Sequence, residues 1–151
     1  MTACRTCSLG ARRDSGDAPP WDSIVRTRAW DVVHAFGSSV VGWTVLVARR
    51  HITALADRTD EEALDLGPLI RNVSQTLHQI TGCRKTYVVQ FAEHPDHPHV
   101  HVHVIPRPVD LPDELQGPGI FRQLGVQEGQ GVSEVRMNEV ALRLRECLAP
   151  D

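Results

Sequence analysis

In the run His99-Val100-His101-Val102-His103-Val104-Ile105, histidine alternates with valine. An extended strand sends successive side chains to opposite faces, so this spacing predicts His99, His101 and His103 on one face and Val100, Val102 and Val104 in the core behind them. A lone strand histidine is ordinarily a satisfied surface or core residue. Three in strict alternation are different, because protonating one imidazole disfavours protonating its neighbour, and clusters perturbed in this way belong to functional sites. Two chemistries suit the row. In one, a neutral imidazole attacks phosphorus while its second ring nitrogen donates to a carbonyl, and the flanking imidazoles donate to phosphoryl oxygens. In the other, two or three of the imidazoles hold a catalytic zinc that ionises a water. Spacing alone does not separate them.

A second reactive group is Cys4-Arg5-Thr6-Cys7. Its spacing lets two thiolates face one tetrahedral ion, which needs two further ligands from elsewhere, and zinc is the ion expected there. The competing readings are a pair of ordinary reduced thiols and a redox pair, though redox pairs open a helix after a strand in a βαβ setting that this stretch lacks. Cys83 and Cys147 read as small packed side chains without chemistry. Trp21, Trp30 and Trp43 read first as core anchors, with Phe36 and Trp43 also able to flank a base. Arg12-Arg13 and Arg49-Arg50 read as solvated pairs, whereas Arg107 lies nearer the histidine strand.

The elements that must position these groups fit one domain, since 151 residues at 41% hydrophobic bury one core and not two. The formal charge of −3 gives no basic stripe for nucleic acid. No apolar stretch reaches the roughly 18 residues of a membrane span, and the Met1-Thr2-Ala3-Cys4-Arg5 start lacks the apolar stretch of a secretory signal, so a cytoplasmic protein is expected. Residues 10 to 20 are polar with Pro and Gly and predict an irregular connection. Ser23 to Phe36 and Trp43 to Val47 predict two or three antiparallel strands. Thr59-Asp60-Glu61-Glu62 has capping-box spacing and predicts a helix running to Gly82, kinked or restarted at Pro68. Strands follow at Lys85 to Phe91 and Val100 to Ile105, then a Pro/Gly-rich stretch from Pro106 to Gly119 and a charged helix from about Ser133 to Leu148.

The histidine row followed by Pro106-Arg107 resembles the signature of the histidine-triad (HIT) family of nucleotide hydrolases and transferases. Gly42-Trp43-Thr44-Val45-Leu46-Val47-Ala48-Arg49-Arg50-His51 is similar to that family's Gly-His-x-Leu-Val-x-Pro-Lys-Arg-His segment, so the resemblance covers about residues 24 to 107. It implies an α+β, HIT-like fold: an antiparallel sheet of about five strands, a helix packed on one face and a C-terminal helix. The chain then divides into an N-terminal metal-binding segment and connection (1–20), the core (24–107) and a C-terminal extension (108–151) of a single domain.

The resemblance makes His101 the nucleophile that takes a nucleotidyl group covalently, flanked by His99 and His103. It implies cleavage of a phosphoramidate, an adenylate or a dinucleoside polyphosphate. Where many members carry Gly-Gln before the triad, this chain has Glu93-His94-Pro95-Asp96-His97-Pro98, and Trp43 stands where many carry a further histidine. Substrate contacts are accordingly expected from His94 and His97, with Gln90, Ser38 and Ser39. Zinc-containing bacterial members, and the related uridylyltransferases, couple an N-terminal Cys-x-x-Cys to two histidines; the matching residues are Cys4, Cys7, His51 and His99, holding a structural zinc. His97 competes for the fourth position, because His97-Pro98-His99 also resembles the uridylyltransferase His-Pro-His. A homodimer acting on a small nucleotide completes what the resemblance implies, while hydropathy and charge argue against membrane or nucleic-acid partners. Two other readings stand beside it: a nucleotide-binding regulator without turnover, and a metallohydrolase with zinc on the histidine row.

Overall fold

Thr59 starts the longest helix of the chain as its spacing predicts. Its hydroxyl accepts from the Glu62 amide at 3.3 Å, and the Glu62 carboxylate accepts from the Thr59 amide at 2.8 Å, so two donors that a helix start would leave orphaned are satisfied reciprocally. The helix ends at Gly82, which takes the left-handed conformation (φ 72°) that favours glycine. In this computed structural model, which describes residues 3–148, the helix runs unbroken through Pro68 from Asp60 to Thr81 (α2). Pro68 removes the donor for the Leu64 carbonyl, and Leu64 is 76% exposed, so that carbonyl lies on the side of the helix where water can satisfy it.

The sheet is built from β1 (Val25–Arg26), β2 (Trp30–His34), β3 (Thr44–Ala48), β4 (Thr86–Val89) and β5 (His101–Pro106). Its strand order is β1-β2-β3-β5-β4 and every neighbouring pair is antiparallel. Alternation sorts the strand residues into two faces. Val32, Leu46, Val102 and Val104 turn to one side, where they pack with Val73 and Leu77 of α2 and with Val140 and Leu144 of a C-terminal helix, α3 (Glu134–Leu148). Val33, Val45, Val47 and Ile105 turn to the other, where a 3₁₀ segment, Gly117–Gln123, contributes Ile120 and Phe121. The fold is therefore α+β, with the open sheet and flanking helices expected. Among the described residues no helix is long and apolar enough to cross a membrane.

Two local expectations are corrected. Residues 10 to 20 do not all form an irregular connection, because a helix, α1, runs from Arg5 to Ser15 and stops at Gly16 (φ 80°). It carries no apolar stripe because its buried residues are Thr6 and Arg13. The Arg13 guanidinium reaches Asp22 at 2.8 Å and Asp31 at 3.4 Å, with all three side chains 2% exposed. The strand expected at Lys85 to Phe91 is shorter, Thr86–Val89, and Ala92 takes φ 56°, turning the chain away from the sheet before the histidine-rich loop.

Candidate active site and metal cluster

β5 pairs with β3 so that Val47 stands opposite His101 and Val45 opposite His103. Paired residues share a face, so both imidazoles rise on the side away from α2, into a cavity of about 660 Å³. Valines of β2 and β3 form its floor. Thr6 and Leu9 of α1 form one wall, while Phe91, His94 and His97 come from the loop before β5.

The His101 Nδ1–H donates to the His99 carbonyl at 2.7 Å. A carbonyl can only accept, so Nδ1 carries the proton and Nε2 keeps its lone pair. For His103 the order is reversed. The Trp43 indole N–H donates to His103 Nδ1 at 3.0 Å, and an indole nitrogen is a donor only, so the neutral His103 carries its proton on Nε2. The two rings lie nearly perpendicular with centroids 5.1 Å apart, and among the described residues neither Nε2 has a hydrogen-bond partner. Burial pushes the His101 imidazole below its usual range, against the upward pull of its bond to the His99 carbonyl. Burial, aided by His101, pushes His103 down to about 3. The cavity therefore presents a neutral nitrogen lone pair beside a neutral N–H donor, a combination suited to attack on a centre whose oxygens gain negative charge.

His99 does not join them. β5 begins only at His101, and the His99 Nε2–H donates to the Ala48 carbonyl at 2.6 Å, which leaves its Nδ1 lone pair facing away from the cavity. That nitrogen lies 3.7 Å from Cys4 Sγ, 3.6 Å from Cys7 Sγ and 3.3 Å from His51 Nδ1, and Cys7 Sγ is 3.2 Å from His51 Nδ1. The four potential ligand atoms all fall within 4.8 Å of one another. A tetrahedral ion bonded at about 2.0–2.3 Å holds its ligand atoms roughly 3.3–3.8 Å apart, so the cluster has the donors and the spacing of a four-coordinate metal site. His97 is not part of it. Its Nδ1 bonds the Thr6 hydroxyl at 2.8 Å, which places the ring in the cavity, 5.4 Å from the more exposed His94 ring.

Three residues expected at the substrate, Ser38, Ser39 and Gln90, do not line the cavity. Ser38 is buried and its hydroxyl closes a local turn with the Val40 amide at 3.0 Å. Ser39 donates to the Gln123 side chain at 2.6 Å, tying the β2–β3 hairpin to the 3₁₀ segment. Gln90 continues the alternation of Val88, which pairs with Val104 of the helix-covered face. Arg107 also lies off the cavity, its Nε buried with no hydrogen-bond partner among the described residues. Thr6, Leu9 and Phe91 were not singled out from the sequence. The spacing of Cys4 and Cys7 is also that of neighbours on a helix face, the one signal for the helical turn that carries Thr6.

The model of the HIT domain matches residues 26–109. No curated protein matches the chain. Among solved structures, a histidine triad protein from Bradyrhizobium japonicum is 21% identical, with 84% of this chain and 90% of that one covered at a TM-score of 0.68. A Zn-bound histidine triad family protein from Mycobacterium smegmatis is 18% identical, covering 97% of this chain and 93% of that one at a TM-score of 0.65. A Hit-like protein from Bartonella henselae, involved in cell-cycle regulation, is 15% identical over 91% of this chain and 93% of that one, with a TM-score of 0.68. At these identities the likeness speaks for the fold.

Proposed function

The chain belongs to the HIT domain family, and from that premise we propose that it is a nucleotide hydrolase or nucleotidyl transferase acting through His101. The observation that carries the reading is the His101 imidazole itself, neutral, with Nδ1–H held by the His99 carbonyl and Nε2 unpartnered in the cavity. In the first step Nε2 forms a bond to the phosphorus of a nucleoside phosphoryl group. The bond from phosphorus to the leaving oxygen or nitrogen breaks and its electron pair departs with that atom. The positive charge on the ring is shared with the carbonyl-bound Nδ1–H, while the His103 Nε2–H donates to a phosphoryl oxygen. In the second step water bonds phosphorus, the P–N bond breaks, its electron pair returns to Nε2, and a proton of the water ends on the leaving group. In a transferase another acceptor replaces the water.

His94 and His97, on the loop wall of the cavity, are proposed to face the departing group. Cys4, Cys7, His51 and His99 would hold a zinc ion whose contribution is structural: a closed ligand sphere that fixes His99, and with it the carbonyl that orients His101. The same reading makes the chain one functional domain that works in the cytoplasm as a homodimer, the free edge of β4 with its exposed Val88 being the place for a second copy.

The test is intact-protein mass spectrometry after rapid, acid-free quenching with adenosine phosphoramidate or a diadenosine polyphosphate, comparing wild type with His101→Gly and scoring AMP. An AMP-sized adduct absent from the variant supports the mechanism. AMP release without an adduct would favour a metal-activated water, and nucleotide binding with neither adduct nor release would leave a regulator.

A further inference from the structure

We propose that Trp43, which does not line the cavity, is a positioning residue: its indole N–H holds the His103 imidazole as a fixed Nε2–H donor aimed beside the His101 lone pair. The catalytic part of this inference rests on the proposed role of His101; the tautomer rests on geometry alone.

Trp43 is fully buried and His103 nearly so, at 0% and 7% exposure, so each needs a partner for its ring nitrogen inside the protein. Their bond at 3.0 Å supplies it for both. The tautomer with the proton on Nδ1 would set two N–H groups head to head, losing this bond and burying two unsatisfied donors. Ring rotation offers no escape. The His103 ring meets Trp43 edge-on at 5.7 Å and Phe121 at 5.3 Å, with Phe121 and Trp43 themselves 5.4 Å apart and nearly perpendicular. Phe121 reaches this packing from the 3₁₀ segment, outside the matched residues 26–109.

Trp43 is itself aimed by the backbone. Gly42 precedes it at φ 86°, where an added Cβ would come within 3.2 Å of Leu77 and Thr81; a side chain there is strained both by conformation and by space. The Trp43 carbonyl accepts from the Ala35 amide at 2.8 Å, closing the hairpin between β2 and β3. The consequence for chemistry is a division of labour. His103 can donate to developing charge on a phosphoryl oxygen, but the nitrogen it presents has no lone pair with which to accept a proton.

The test uses the full-length protein labelled with ¹⁵N-histidine, with the His103 signals assigned by their loss in His103→Asn. At pH 7.5 the wild type is expected to show His103 in the Nε2–H form only. Trp43→Phe keeps an aromatic ring and removes the donor; it is expected to populate the Nδ1–H form and to lower kcat on adenosine phosphoramidate by roughly ten- to a hundredfold, with KM little changed. Trp43→His restores a ring N–H and is expected to recover part of that loss. A wild-type His103 carrying its proton on Nδ1 overturns the proposal, and so does a folded Trp43→Phe with the tautomer or kcat unchanged. Should Trp43→Phe fail to fold, the wild-type spectrum still decides. A wild type without turnover refutes the proposed function, while the spectra continue to decide whether Trp43 holds His103.

Discussion

Replacing Arg13 by Met tests how α1 is fixed to the sheet. The Arg13 guanidinium is 2% exposed and neutralises Asp22, also 2% exposed, at 2.8 Å, with a longer contact of 3.4 Å to Asp31. Breaking a buried pair by removing one partner costs about 3–5 kcal/mol, because a charge is left without compensation. Asp31 keeps Arg26 at 2.7 Å, so only Asp22 is orphaned and the lower end, about 3 kcal/mol, applies. For a chain of this size that corresponds to a fall in Tm of roughly 6–12 °C. Burial already raises the Asp22 carboxyl above its usual range against the pull of Arg13, and without Arg13 it rises further. A carboxyl raised in the folded state takes up its proton more readily than in the unfolded chain, so stability returns as pH falls through the raised value. The urea-unfolding deficit of Arg13→Met should accordingly be largest at pH 7.5 and shrink toward pH 4. The double variant Arg13→Met, Asp22→Leu should regain most of it at pH 7.5. A single variant within about 1 kcal/mol of wild type, or a deficit that grows on acidification, would refute the reasoning.

The remaining predictions concern the site. Cys7→Ser should lower bound zinc from about one equivalent per chain, read by elemental analysis, and lower Tm with it; unchanged zinc content would remove Cys7 from the cluster. Thr6→Val should free the His97 ring and reduce kcat/KM by about tenfold while leaving zinc content unchanged, and an unaffected kcat/KM would detach His97 from the reaction. Because His103 is held near 3 when folded against an ordinary 6.5, its contribution to stability is complete above pH 6.5 and drains away as pH falls toward 3. At pH 5 the loss is about 2 kcal/mol, and urea midpoints equal at pH 7 and pH 5 would contradict it.

Much of the site was legible because its signals are local. The alternation of His101 and His103 with valine, the capping box at Thr59 and the segment ending in His51 each fix a geometry within a few residues. What escaped depends on contacts between distant parts of the chain. Period-two reasoning set His99 beside His101, but the strand begins after it and the Ala48 carbonyl turns its ring toward the thiols. α1 was hidden because polar side chains anchor it, and an apolar period cannot reveal a helix buried through Arg13 and Thr6. Ser38 and Ser39 were placed near the substrate by their position in the chain, whereas hairpin hydrogen bonds consume them.

The contact between Cys4 and His99 joins residues 95 positions apart. Closing a loop of that length costs about 4 kcal/mol of chain entropy, which the Arg5 amide donating to the Asp96 carbonyl at 2.9 Å and the Thr6–His97 hydrogen bond help to offset once the ends meet. Contacts of such separation are expected to form after those of the hairpins and α2, whose partners are near in sequence. Cys4 and Cys7 precede His51 and His99 in the chain, so during synthesis the two thiols meet the redox conditions and free metal around them before the histidines that complete their cluster have been made.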